Sequence, residues 1–227
     1  MVEPQPSIEL FGLIFHTPVT ALTDVAVAII CYEAYRRLCR MGHGAEVHRL
    51  FQFYFLTMSL ATLLGGVIGH ALMHYLPFYM KLPGWITSMF SVALLERAVI
   101  QYARKYLSRN VGTFFSWLNI LELLTFMILS FVTLNFQYVL IHAAYGIAIV
   151  VGGFSVFIYL NERSVGSKYM LMGVEACIIG ASFFQFQIGL DKWFNHVDIS
   201  HVFMMLASVL FFRGSKYLIR ANEGQDL

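Results

Sequence analysis

The 227-residue chain is 59% hydrophobic and only 12% charged, with a mean hydropathy of +0.69. That balance excludes an ordinary water-soluble domain, in which about 25% of residues are charged. The formal net charge of +2 gives no argument for a nucleic-acid partner. A transmembrane β-barrel is excluded by runs such as Phe126 to Val132 and Ile147 to Val151, which lack the alternation of barrel strands.

At roughly 20 apolar residues per bilayer crossing, the length accommodates about seven helices and no separate soluble domain. The expected fold is therefore all-α: a polytopic seven-transmembrane-helix bundle in which residues 1–227 form one membrane domain. In chain order, apolar runs place helices at 14–37, 50–76, 84–104, 112–133, 136–160, 168–189 and 197–217. The opening Met1-Val-Glu-Pro-Gln-Pro lacks a basic n-region, so the first apolar segment is expected to be retained as a helix.

Helix 1 carries His16, Thr20 and Asp24 at four-residue spacing, one polar face with Thr23 beside it. The loop after it holds Arg36, Arg37, Arg40 and Arg49; later loops hold Arg104, Lys105 and Arg109, then Arg163 and Lys168, then Arg213, Lys216 and Arg220. These twelve of the 15 basic residues fall in alternate loops, so the positive-inside rule predicts the N-terminus outside and the C-terminus cytoplasmic. Arg36, Arg37 and Arg40 are expected to meet anionic lipid headgroups. Aromatic clusters at Tyr75, Phe78, Tyr79 and Trp85, and at Phe51, Phe53, Tyr54 and Phe55, read as interfacial belts.

This topology assigns a depth to each histidine. His43 and His48 fall in the first inner loop, where solvation is expected, whereas His16, His70, His74, His142, His196 and His201 share the outer side. Ionisable residues within a membrane are costly unless paired or liganded, so such a grouping points to function. Glu96, Glu122 and Glu175 fall deeper and read as interhelical pairs in preference to a proton path.

His70 and His74 lie one above the other on helix 2 and can reach one metal ion. Asp198 and His201 are three apart at the start of helix 7. His196 and His201 differ by about 140° on an ideal helix, so His196 belongs on the lead-in, with Asn195 or Asp198 as cap. The expected metal ligands are His70, His74, His196 and His201, with His16 and Thr20 supporting them and Asp24 or Asp198 as catalytic base. Imidazole with carboxylate and no nearby thiolate suits Zn2+. The expected function is a metal-dependent hydrolase acting on a lipid amide or ester bond near the outer leaflet, with membrane lipids as partners. The alternative is a non-enzymatic metal- or haem-binding protein, such as a receptor, sensor or electron carrier.

The helix count, the histidines ending helix 2 and the histidine pair opening helix 7 resemble the superfamily of alkaline ceramidases, progestin and adipoQ receptors and related membrane hydrolases. Gly66 stands where that superfamily has the serine of a Ser-x-x-x-His pattern ending here at His70, and four residues, not three, separate His196 from His201. The resemblance implies an intramembrane zinc amidase acting on lipids, with the metal role falling on His70, His74, His196 and His201.

Overall fold

The computed structural model describes residues 5–42, 44–222 and 224. It is all-helical apart from one short hairpin. Seven long helices follow one another: α1 (Pro18–Cys39), α2 (Glu46–Ala71), α3 (Leu82–Ala103), α4 (Arg109–Thr133), α5 (Gln137–Glu162), α6 (Val165–Gln185) and α7 (His196–Asn222). Five of them, α1, α2, α4, α5 and α7, are long and apolar enough to cross a membrane. The exposed face of α4 is a continuous apolar stripe of Phe114, Trp117, Leu121, Leu124, Ile128 and Phe131. Such a face is at home against hydrocarbon, not water.

Short connections make successive helices neighbours. α1 lies between α2 and α7, α6 packs along α7, and α3 is the inner helix, touching α2, α4 and α5. The core therefore forms where α1, α2, α3, α6 and α7 meet, around Phe51, Phe55, Leu95, Tyr102, Met170, Phe211 and Leu218. Close helix approach depends on glycine at Gly173, where an added Cβ would lie 2.5 Å from the Phe211 ring.

Several boundaries differ from the sequence expectation for identifiable reasons. Ile14 and Phe15, expected to open helix 1, instead belong to a hairpin of β1 (Ile8–Leu10) and β2 (Leu13–Phe15). Its two-residue turn, Phe11-Gly12, has positive φ at both positions, 56° and 75°, the geometry favoured by right-twisted strands. Pro18 then starts α1, since its fixed φ suits the first helical position. α2 begins at Glu46, so His48 is fully buried, with Nε2 2.9 Å from the Leu38 carbonyl, and is not solvated as expected. His43 lies outside the described residues. Phe51, Tyr54 and Phe55 face the protein core, leaving only Phe53 of that aromatic cluster exposed.

Two helices change pitch. α2 becomes π-helical over Gly65–Ala71, and α5 is π-helical over Tyr145–Val151. Each stretch abuts a buried carboxylate, Asp24 in the first case and Glu96 in the second.

Candidate metal centre

The polar stripe of α1 is held by its own capping network. Gln5, ahead of the hairpin, accepts from the Val19 and Thr20 amides at 3.0 and 3.3 Å, satisfying donors that the first turn leaves free. Its amide nitrogen donates to the Trp193 carbonyl at 2.6 Å and to Asp198 Oδ2 at 3.1 Å. Asp198 is fully buried and also accepts from the Thr20 hydroxyl at 2.7 Å and from the Asn195 amide at 2.8 Å. Asn195 Oδ1 accepts in turn from the Val197 amide at 2.8 Å, so Asn195 and Asp198 form a capping box at the start of α7. Asp198 thus caps α7 and fastens it to α1. His196 is the first residue of that helix.

One turn further along α1, Asp24 is 6% exposed and faces two imidazoles. Its Oδ1 is 3.4 Å from His201 Nε2 on α7, and its Oδ2 is 3.9 Å from His70 Nε2 on α2. Each ring is held from behind by a threonine of the α1 entry: Thr23 Oγ1 lies 2.8 Å from His201 Nδ1, and Thr17 Oγ1 lies 3.2 Å from His70 Nδ1. The Thr23 hydroxyl gives its single hydrogen to the Thr20 carbonyl at 3.0 Å. With the hydrogen placed there, the hydroxyl accepts from His201 Nδ1–H and the Nε2 lone pair turns to Asp24. A carboxylate oxygen facing a nitrogen lone pair is repulsive until a cation or proton lies between them.

The glycines of the π-helical turn bring α2 close enough for this. A Cβ at Gly66 would lie 2.8 Å from the Ala21 carbonyl and 2.9 Å from Asp24 Cβ, and one at Gly65 would lie 3.3 Å from Asp24 Oδ2. The His70 side chain is 30% exposed, so this imidazole is the group's edge to the outside.

The other expected site residues stand apart. His74 is exposed, its ring 5.5 Å from that of His16 and 5.0 Å from that of Tyr75. His16 Nδ1 pairs with Ser7 Oγ at 2.9 Å. The His196 ring lies 5.7 Å from Phe184, and its buried Nδ1 makes no hydrogen bond among the described residues. No hydrogen bond or ion pair links His74 or His196 to Asp24, His70 or His201 among the described residues.

A second cluster lies between α3, α4 and α5. His142, fully buried, places Nδ1 2.6 Å from Glu122 Oε1 and donates from Nε2 to the Met89 carbonyl at 2.9 Å. Asn119 donates to Glu96 Oε2 at 3.1 Å, while Glu96 Oε1 and Glu122 Oε2 have no hydrogen-bond partner. One potential ligand atom from each of Glu96, Glu122 and His142 lies within 4.8 Å of the others, and among the described residues no other three His, Cys, Asp or Glu meet that limit. Asp24, His70 and His201 are thus the more open set, with the imidazoles on opposite sides of the carboxylate. The interhelical pairing expected for Glu122 is present with His142, and no partner for it was named from the sequence.

No curated protein and no solved structure matches the chain. A family model matches residues 19–220, nearly the whole chain, with Asp24, His70 and His201 inside the match. The chain belongs to that family, the family of unknown function DUF6962.

Proposed function

We propose that the chain is an intramembrane metal-dependent hydrolase whose site is built on Asp24, His70 and His201. The observation that carries this reading is the pairing of both oxygens of one buried carboxylate with imidazole Nε2 atoms from two other helices, each ring held at Nδ1 by a threonine. Ring nitrogens oriented by outer hydrogen bonds are the usual surroundings of metal-ligating histidine. Ligands of one tetrahedral zinc stand about 3.3 Å apart, close to the 3.4 Å between Asp24 and His201. His70, the exposed member, closes the remaining distance by turning inward.

Asp24, His70 and His201 would hold the ion, which would supply a bound water of pKa about 7 and a Lewis acid for a scissile carbonyl. Asp24, the carboxylate beside the imidazoles, would hold the ion through one oxygen and accept the water's proton on the other. Asp198, whose oxygens are engaged by Thr20, Gln5 and Asn195, holds α1 and α7 in register. The substrate class is a lipid amide or ester, because the site adjoins apolar helices and the histidines that close helix 2 and open helix 7 resemble the sequence pattern of the alkaline ceramidase superfamily. In this reading all seven helices cross the bilayer, with the N-terminus outside and the C-terminus cytoplasmic, supported by twelve of the 15 basic residues in alternate loops. α3 joins the five more apolar helices as a span because its Glu96 turns inward, and α6 joins them by its length of 21 residues, although its Glu175 is exposed.

A non-enzymatic metal- or haem-binding role is the second reading. It is favoured by the closure of the site, where Asp24 and His201 are nearly buried and only His70 is open. Elemental analysis, an absorbance spectrum and release of fatty acid from amide- and ester-linked lipids separate the two. Zinc with hydrolysis, both lost in His70→Ala and His201→Ala, is the expected result. A haem spectrum, or zinc without hydrolysis, selects the second reading, and absence of both metal and haem removes each.

A further inference from the structure

Where α6 begins and α7 ends, a cavity of about 260 Å3 is lined by Tyr169, Arg213, Lys216, Tyr217 and Arg220. Three cations and two phenols line it, and no acid does. On α7 the lining residues follow at intervals of three, one and three, which gathers them on one helix face. Like charges a turn apart repel one another, so this face carries an electrostatic cost that a bound anion removes. Two other basic residues near helix ends have acidic partners: Arg37 lies 2.8 Å from Glu33, and Lys105 lies 2.9 Å from Glu162. Arg213, Lys216 and Arg220 have no hydrogen bond or ion pair among the described residues. Among the described residues, ring faces meet two of the three charges: Arg213 is 5.8 Å from the centre of Tyr169, and Lys216 is 5.7 Å from that of Phe212. Tyr169 itself stacks on Tyr217, ring centres 5.8 Å apart, which holds one wall in place.

We infer that this cavity binds the phosphate of an anionic lipid headgroup. Arginine and lysine together with phenolic hydroxyls are donors that match phosphate oxygens. The choice of a lipid over free phosphate comes from the surface leading to the cavity. Val202, Leu206 and Val209 are exposed on α7 at spacings of four and three, and the next position of that stripe is Arg213. An acyl chain lying along the stripe brings its headgroup to the three cations. This assignment is independent of any metal at Asp24.

The test uses the full chain, purified in detergent and stripped of lipid, then titrated with phosphatidylglycerol, phosphatidylcholine or inorganic phosphate while thermal unfolding and lipid retention in native mass spectrometry are followed. Phosphatidylglycerol is expected to stabilise and to be retained in preference to phosphatidylcholine, weakening about fivefold for each cation removed and weakening with added salt. Arg213→Gln and Arg220→Gln alter exposed positions, so they preserve the fold if the combined R213Q/K216Q/R220Q chain does not, and Arg213→Lys should restore most of the preference. Equal response of wild type and substituted chains, or no preference between the two lipids, overturns the inference. Inorganic phosphate matching phosphatidylglycerol at equal concentration also overturns it, by making the site one for a free anion.

Discussion

The Asp24 and Glu122 clusters use the same side-chain types at different spacings, and the spacing separates what they can hold. Around Asp24 the carboxylate oxygens stand 3.4 and 3.9 Å from their imidazoles; between Glu122 and His142 the distance is 2.6 Å. Two atoms sharing a proton approach to about 2.7 Å, whereas two ligands of one zinc cannot come so close. The environments agree with this division. His142 is sealed in the bundle with both nitrogens engaged, while His70 leaves an open edge. The inner cluster ties α3, α4 and α5 together with its three ligand atoms within 4.8 Å of one another, whereas the outer one is wider and has the partly exposed His70 at its edge. Both adjoin a π-helical stretch, a local irregularity frequent at functional sites, so the stretch alone does not tell the two apart.

Substitutions can break this contrast, and the largest effect is expected at Asp24. Asp24→Asn keeps the shape and removes the charge, and should lower lipid hydrolysis by about 100-fold or more, since a ligand and base are lost together. At the inner cluster, His142→Ala strands Glu122 in the bundle and should lower unfolding stability by about 3–5 kcal/mol while metal content stays unchanged; denaturant unfolding in detergent measures this. Thr23→Val removes the oxygen that holds His201 Nδ1–H, and a metal titration should report affinity weakened about 10- to 100-fold. Gly66→Ala puts a methyl against the Ala21 carbonyl, which should cost about 1–3 kcal/mol and loosen the outer cluster. The same change at Gly146 falls on Glu96, and should cost stability without reducing metal content.

The helices were legible because the apolar runs are long, and the alternation of basic loops assigned Asp24, His70 and His201 to related depths before any contact was known. Which histidine of each pair turns inward was not legible. Residues four apart share a face on an α-helix, but α2 turns π-helical at Gly65 and ends at Ala71, so His74 lies in the turn beyond the helix and no longer aligns with His70. For His196 and His201 the helical rotation already argued against a shared face, but His196 is the first residue of α7 and not part of the expected lead-in, because the Asn195–Asp198 capping box starts the helix one residue earlier. The tie from Asp198 to Thr20 and Gln5 joins residues far apart in the chain, and no local pattern signals it. The hairpin had a signal in Gly12 between two short apolar runs, but the second run, Leu13 to Phe15, merges with the apolar opening expected for helix 1 at residue 14. Glu122 and His142 are 20 residues apart on successive helices, and only the register of α4 against α5 brings them together.

The most direct test is zinc stoichiometry in wild type, Asp24→Asn and Glu122→Gln, each purified without added metal. The account predicts about one zinc per chain in wild type and Glu122→Gln and none in Asp24→Asn, as expected for one ion held by oriented imidazoles and a carboxylate. Zinc retained in Asp24→Asn, or lost in Glu122→Gln alone, would contradict it.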